Sequence, residues 1–214
     1  MFITLEGIEG AGKTTQIPLL VAFLEKKGHT CVVTREPGGT AIGAKIRALL
    51  LDPENSRMVP ETELLLYAAD RAQHVRRQIE PALAAGKTVV CDRFADATEA
   101  YQGVARGLDM ELVRALNRVA TGGRMPDITL LFDLPPEVGL KRAWQRIAQN
   151  GRETADCRFE NEKMAFHERV RQGYLDMARR EPGRFIVVDA QGPAAEVADR
   201  MITALEQFFG SVRS

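Results

Sequence analysis

Cysteine is scarce in these 214 residues, and Cys31, Cys91 and Cys157 are odd in number with no metal-binding spacing. That excludes a disulfide framework and a zinc ribbon, and the three read as thiols of a reducing, cytosolic compartment. There is no CxxC, no HExxH and no GxSxG, so zinc hydrolysis and acyl transfer lack the residues they need. His29, His74 and His167 have no evident nucleophile beside them and read as surface or helix residues. Net charge is lacking too, because 29 basic residues balance 29 acidic ones. Such a balance supplies no field for general nucleic-acid or anionic-membrane binding. The longest apolar run falls far short of the ~20 residues a membrane helix needs. No charged-then-apolar signal segment precedes a first strand at Phe2, so the expected compartment is the cytoplasm. Internal repeats and low-complexity tracts are absent. The length suits one domain, residues 1–214, with an ample core.

What is present begins at Gly7-Ile8-Glu9-Gly10-Ala11-Gly12-Lys13-Thr14, which fits G-x-x-x-x-G-K-[ST]. At average residue usage, accident produces such a match about once in a hundred chains of this length. The flanks make accident rarer still. Phe2 to Leu5 is a short strand-like run, and Ile17, Leu20, Val21 and Leu24 recur on one face of a helix. Strand, glycine turn and helix are the setting of a phosphate-binding loop. Its backbone N–H groups wrap a phosphate chain at the positive end of a helix dipole. Lys13 then reaches the β- and γ-phosphates, and the Thr14 hydroxyl suits Mg²⁺. Pro18, beyond the first turn, removes one helical hydrogen bond and predicts a slight kink.

Further strands are expected at Cys31–Thr34, Thr88–Asp92, Ile128–Phe132 and Phe185–Val188, with helices between them. Arg35 to Thr40 is a glycine-rich loop. A long helix spans Glu61 to Ile79, with a last turn opened by Pro81. Arg93 to Gly107 reads as a long loop or helix start, followed by a helix from about Asp109. Pro135 begins another helix, which gives way to a polar segment near Gln149 to Asp156. A helix resumes near Phe159 and runs to about Arg180, and Pro193 begins the last. Strands alternating with helices predict an α/β fold, a parallel sheet covered on both faces.

Ligands of such sheets sit beyond the carboxyl ends of the strands. That rule gathers Glu6 to Thr14, Arg35 to Thr40, Asp92-Arg93, Asp133 and Asp189 to Gln191 at one rim. Asp92 ends an apolar strand, where a carboxylate can hold Mg²⁺ through water. Asp133 resembles it, but Pro135 behind it favours a helix-capping role. Arg35 and Arg93 at the rim are suited to bidentate phosphate contacts. By pattern alone Arg71, on a helix, reads as a solvated charge. Arg142, Arg146, Arg152 and Arg158 surround the polar segment, which is either a solvated loop or a lid at about 146–158.

Taken in order, GIEGAGKTT, TREPGGT (Thr34 to Thr40), YAADRAQH (Tyr67 to His74), DRF (Asp92 to Phe94), AYQG (Ala100 to Gly103), PDITLLFDLPPEVGLKR (Pro126 to Arg142) and RFE (Arg158 to Glu160) resemble the thymidylate kinases of bacterial type. The similarity covers almost the whole chain. It implies a five-stranded parallel sheet flanked by helices, of the P-loop nucleotide kinase kind. It also implies transfer of the ATP γ-phosphoryl group to dTMP with Mg²⁺, and a homodimer. By the resemblance, the loop Gly7 to Thr15 cradles the ATP phosphates, with Lys13 catalytic and Thr14 and Asp92 serving the metal. Glu9 takes the sugar 3′-hydroxyl, Tyr67 stacks on thymine, and Arg71 and Thr98 bond the base edge. Tyr101 crowds the 2′ position, Gln102 closes the nucleoside pocket, and Arg35 and Arg93 hold the acceptor phosphate. Arg142 and Gln191 neighbour the adenine. Because Gly10 stands where some members carry an arginine, the resemblance assigns the catalytic positive charge to the lid and nominates Arg146. Tyr67 replaces the usual phenylalanine, and the lid is several residues longer than usual.

Rival readings are a kinase for another monophosphate or nucleoside, a regulatory GTPase and a motor-type ATPase. Only Tyr67, Arg71, Thr98, Tyr101 and Gln102 argue against the first. No N-K-x-D guanine-reading motif occurs. A motor ATPase would want a second acid after Asp92, where Arg93 stands.

Overall fold

A computed structural model of the chain describes residues 1–150 and 158–211. Five strands form one sheet: β1 (Phe2–Glu6), β2 (Cys31–Arg35), β3 (Thr88–Asp92), β4 (Ile128–Asp133) and β5 (Phe185–Asp189). Their order is β2-β3-β1-β4-β5, and every pairing is parallel. The central strand β1 is buried along its whole length, as a strand covered on both faces must be. Its alternation divides the core. Phe2 packs with Val89, Cys91, Phe94, Val75 and Ile79 on one face. Ile3 and Leu5 join Leu20, Leu24 and Val90 on the other. The edge strands are less covered, with Val33 and Val187 about half exposed.

The first helix, α1 (Lys13–Lys26), runs through Pro18 without interruption. After β2 come α2 (Ala41–Leu51), α3 (Pro60–His74), a π-helical turn (Val75–Ile79) and α4 (Glu80–Ala84). Pro81 opens α4, where its missing N–H is not needed. The stretch after β3 is mostly helical rather than a loop: α5 (Ala95–Thr98) continues into a π-helical turn (Glu99–Ala105). It leads to α6 (Met110–Thr121), capped by the Asp109 carboxylate on the Glu111 N–H. Past β4 lie α7 (Pro136–Asn150), α8 (Met164–Arg180) and, after β5, α9 (Ala194–Ser211). The helix expected from Phe159 begins only at Met164. Phe159 instead sits in a turn, its ring edge-on to Tyr101 at 5.5 Å.

Candidate active site

The loop between β1 and α1 is shaped by close packing. Gly10 has φ 72°, and a Cβ there would collide with the Gly139 carbonyl of α7. No side chain, and so no arginine, fits at position 10. Gly12 caps α1 in the left-handed region, and no side chain bonds the first-turn N–H groups. Those orphan donors, at the positive end of the helix, are of the kind that can hold an anion. Thr14 and Thr15 are exposed at that end. Lys13 is nearly buried, its ammonium donating to the Gly7 carbonyl at 3.0 Å and the Ile8 carbonyl at 3.2 Å. Burial and the neighbouring Arg93 lower its pKa to about 8, against the opposing pull of Asp92, Glu9 and Glu6.

Glu9 and Arg93 meet beside the loop. Glu9 Oε1 accepts the Tyr101 hydroxyl at 2.6 Å and Arg93 Nη2 at 3.0 Å. Burial would raise this carboxyl, yet His167, Arg93, Tyr101 and Lys13 together bring its pKa down to about 2. Arg93 has φ 69°, the one positive φ outside glycine among the described residues. Such a backbone costs roughly 1–3 kcal/mol and is held by its surroundings. Here the Arg93 N–H donates to the Leu5 carbonyl at 3.0 Å. The guanidinium lies 4.8 Å from the centre of the Tyr101 ring and donates to the Tyr174 hydroxyl at 3.2 Å. Beneath it Glu6 accepts the Phe94 N–H and the Tyr174 hydroxyl, both at 2.7 Å. Burial beside Asp96 pushes Glu6 up to about 8.

A cavity of about 800 Å³ extends from this centre in two directions. Tyr67, Arg71, Thr98 and Gln102 wall one end, and Arg142, Arg146, Ala190, Gly192 and Val197 the other. At the first end Arg71 is 1% exposed. Its Nε donates to Glu36 at 2.8 Å, Nη1 to Asn117 at 2.7 Å and Nη2 to the Phe94 carbonyl at 3.1 Å. The other oxygen of Glu36 meets His74 at 2.8 Å, and His74 in turn meets Thr34 at 2.6 Å. Gln102 donates to Glu63 at 2.7 Å. Burial raises the Tyr67 hydroxyl well above its ordinary pKa, so it stays neutral. The Thr98 hydroxyl and one oxygen of Asp92 are buried without a hydrogen-bond partner. Orphans of that kind beside a cavity are what a bound ligand would satisfy.

A family model described as thymidylate kinase matches residues 5–202. The chain is 84% identical over 207 residues to the thymidylate kinase of Desulfosudis oleivorans, covering 97% of each. It is 55% identical over 210 residues to that of Desulforapulum autotrophicum, covering 98% of this chain and 92% of the relative. This chain belongs to the thymidylate kinase family. The crystal structure of thymidylate kinase from Ehrlichia chaffeensis matches this fold with a TM-score of 0.75 at 35% identity, over 96% and 98% of the two chains.

Against that family background, Glu9 through Thr15 line the cavity, with Arg35, Tyr67, Arg71, Asp92, Arg93, Thr98, Tyr101, Gln102, Arg142 and Arg146. Gly7 and Ile8 lie beneath it, and their carbonyls hold Lys13. Gln191 is exposed and stands apart from the wall. Arg142 instead donates to the carbonyls on either side of it, Ala190 at 3.1 Å and Gly192 at 3.2 Å. Asp133 ends β4 at the rim, as expected, but Arg171 takes both its oxygens at 2.7 and 2.8 Å, so its carboxylate caps no helix. Arg71 is not solvated but buried. Arg158 is also buried and bound to Glu63 at 2.7 Å. Arg152, like Asp156 and Cys157, falls outside the described residues.

Sequence reasoning missed Glu36, Glu63, Tyr174 and His167. His74 and His167 lie on helices as expected, but both are fully buried rather than at the surface. The signal for His167 was its spacing: with Val170 and Tyr174 it follows i, i+3, i+7, the buried face of α8.

Proposed function

We infer that this cavity seats ATP across the phosphate loop and dTMP against Tyr67, Arg71 and Thr98. The reaction is that of the family, transfer of the ATP γ-phosphoryl group to dTMP to give ADP and dTDP. The observation that carries the assignment is the strained Arg93, a fixed cation between the Lys13 loop and the thymine-end wall. Phosphoryl transfer asks a protein mainly for alignment and neutralised charge. In our reading the loop N–H groups and Lys13 hold the donor phosphates, while Arg35 and Arg93 hold the acceptor phosphate. Glu9 receives the sugar 3′-hydroxyl, and Tyr101 closes the 2′ side. Thr98 and Arg71 read the thymine edge, the former with its orphan hydroxyl. Arg146 swings its charge over the transferring group, and Arg142 lies along the adenine with the Ala190–Gly192 loop.

Among the described residues no three carboxylate, histidine or cysteine side chains form a metal cluster. The exposed Thr14 hydroxyl and the unsatisfied Asp92 oxygen nevertheless fit Mg²⁺, which takes few protein ligands and completes its shell with water and phosphate. Bound there, the ion would neutralise charge on the β- and γ-phosphates.

We read the assembly as a homodimer formed through α2, α3 and α6. These adjoining helices expose Ile42, Leu49, Leu65, Leu112 and Val119, the last 76% exposed. Exposed apolar side chains on neighbouring helices support an interface there. No described helix is long and apolar enough to cross a membrane, and the cytoplasm is the compartment we assign. The decisive assay is ADP release with ATP and each deoxynucleoside monophosphate in turn. dTMP is expected to outpace dCMP and dGMP, and equal rates would remove the acceptor assignment.

A further inference from the structure

His167 is 0% exposed, and neither of its ring nitrogens has a hydrogen-bond partner. Nδ1 lies 3.3 Å from Glu9 Oε2, an oxygen likewise without a hydrogen bond. The pair stands at ion-pair distance, short of hydrogen-bond alignment. Phe166 packs edge-on against the imidazole, ring centres 5.5 Å apart. A buried polar group left without a hydrogen bond costs about 1–3 kcal/mol, so an open Nδ1 facing a carboxylate oxygen calls for a reason.

The two oxygens of Glu9 are not equivalent. Oε1 accepts the Tyr101 hydroxyl and Arg93, both of which line the cavity. Oε2 is closed to solvent and faces His167 Nδ1, which is within reach to hold it from the protein side.

We propose that His167 is a positioning residue for Glu9, donating Nδ1–H to Oε2 so that the carboxylate presents one fixed oxygen to the sugar 3′-hydroxyl of dTMP. This rests on the reading of Glu9 as the acceptor for that hydroxyl. The terminal torsion of glutamate is broad, and Arg93 and Tyr101 both hold the same oxygen. His167 pins the other. The same helix sends Tyr174 to Glu6 and Arg93, so α8 braces both acidic residues that flank the loop.

The test compares dTMP with its 3′-deoxy analogue in wild type, His167→Leu, His167→Asn and Glu9→Ala, reading the ratio of kcat/KM for the two acceptors. A ratio taken within one enzyme does not depend on how much of it is folded. His167→Leu is expected to lower the preference for the 3′-hydroxyl about tenfold, the worth of a hydrogen bond to a charged group, with the KM for ATP within twofold. His167→Asn, whose amide nitrogen falls near the place of Nδ1, is expected to restore most of it. An unchanged ratio in His167→Leu, or equal losses in the Leu and Asn variants, overturns the proposal. If Glu9→Ala also keeps the wild-type ratio, the reading of Glu9 fails as well. If Glu9→Ala loses the preference and His167→Leu does not, the role of His167 alone is wrong.

Discussion

Arg158 Nη1 lies 2.7 Å from Glu63 Oε2, with both side chains buried. The same nitrogen donates to the Leu50 carbonyl at 3.1 Å. Glu63 also receives Gln102 at 2.7 Å and Arg106 at 3.3 Å. The chain that follows the undescribed segment is thus tied to α2 and α3, behind the wall assigned to the acceptor nucleoside. Arg146, at the other end of that segment, is 58% exposed and only loosely paired with Glu160 at 3.6 Å. Two arginines that look alike in sequence occupy opposite physical situations.

Arg158→Ala leaves Glu63 buried with Arg106 as its remaining cation. Removing one partner of a buried pair costs about 3 kcal/mol even at the low end of such effects. The expected result is an unfolding free energy, from urea titration, lowered by that amount, with kcat per folded molecule changed only a few-fold. A kcat loss of 100-fold with unaltered stability would put Arg158 at the transferring phosphate instead.

Arg146→Ala is expected to do the reverse. An exposed pair at this distance contributes less than about 1 kcal/mol to stability, so the unfolding midpoint should hold. Because Gly10 is closed to any side chain by Gly139, no charge at that position replaces it. Loss of a donor used in the transition state lowers kcat by roughly 100-fold while acceptor KM stays within a few-fold. Steady-state kinetics with both substrates varied checks this, and a near-wild-type kcat would leave Arg146 a solvated helix charge.

The five strands and the phosphate loop were legible because apolar runs and glycine spacing are local signals. What escaped depended on distance in the chain. Arg71 looked solvated since its partners Glu36 and Asn117 lie 35 and 46 residues away. No helical pattern announces such pairs. The stretch after Asp92 read as a long loop or helix start, and in it Gly103 serves packing. A Cβ there would collide with the Met110 sulfur, so the glycine lets the π-helical turn lie close against α6. The contacts of His167 and Tyr174 with the loop carboxylates were hidden for the same reason as those of Arg71. Their helix is more than 150 residues from Glu6, as the separation of 168 between Glu6 and Tyr174 shows.

Glu9 makes stability depend on pH in a calculable direction. Its folded pKa of about 2 lies below the ordinary 4.5, so the unfolded chain binds the proton more tightly. The stabilisation is therefore fully present above about pH 4.5 and is withdrawn as pH falls toward 2. Unfolding free energies from urea titrations at pH 5 and pH 3.5 should fall less in Glu9→Gln than in wild type. Identical slopes would mean that the carboxylate is not held ionised by His167, Arg93 and Tyr101.

Arg71 joins a buried network to the cavity wall, so its removal should be felt twice, and the two effects are separable. Arg71→Ala strands Glu36, which is 4% exposed and would keep His74 as its remaining side-chain partner. A buried carboxylate losing its cation costs about 3–5 kcal/mol, and the unfolding midpoint should drop accordingly. That loss lowers the amount of active enzyme and hence the maximal rate, but it cannot by itself change the ratio of two Michaelis constants. If Arg71 also bonds the thymine edge, the KM for dTMP rises at least about tenfold, as expected for a lost charged hydrogen bond, while that for ATP stays within threefold. Arg71→Lys keeps the charge near Glu36 and loses the planar fork that binds Glu36 and Asn117 together. It should recover much of the stability and little of the dTMP affinity. Equal rises in both Michaelis constants would make Arg71 a support of the wall rather than a reader of the base.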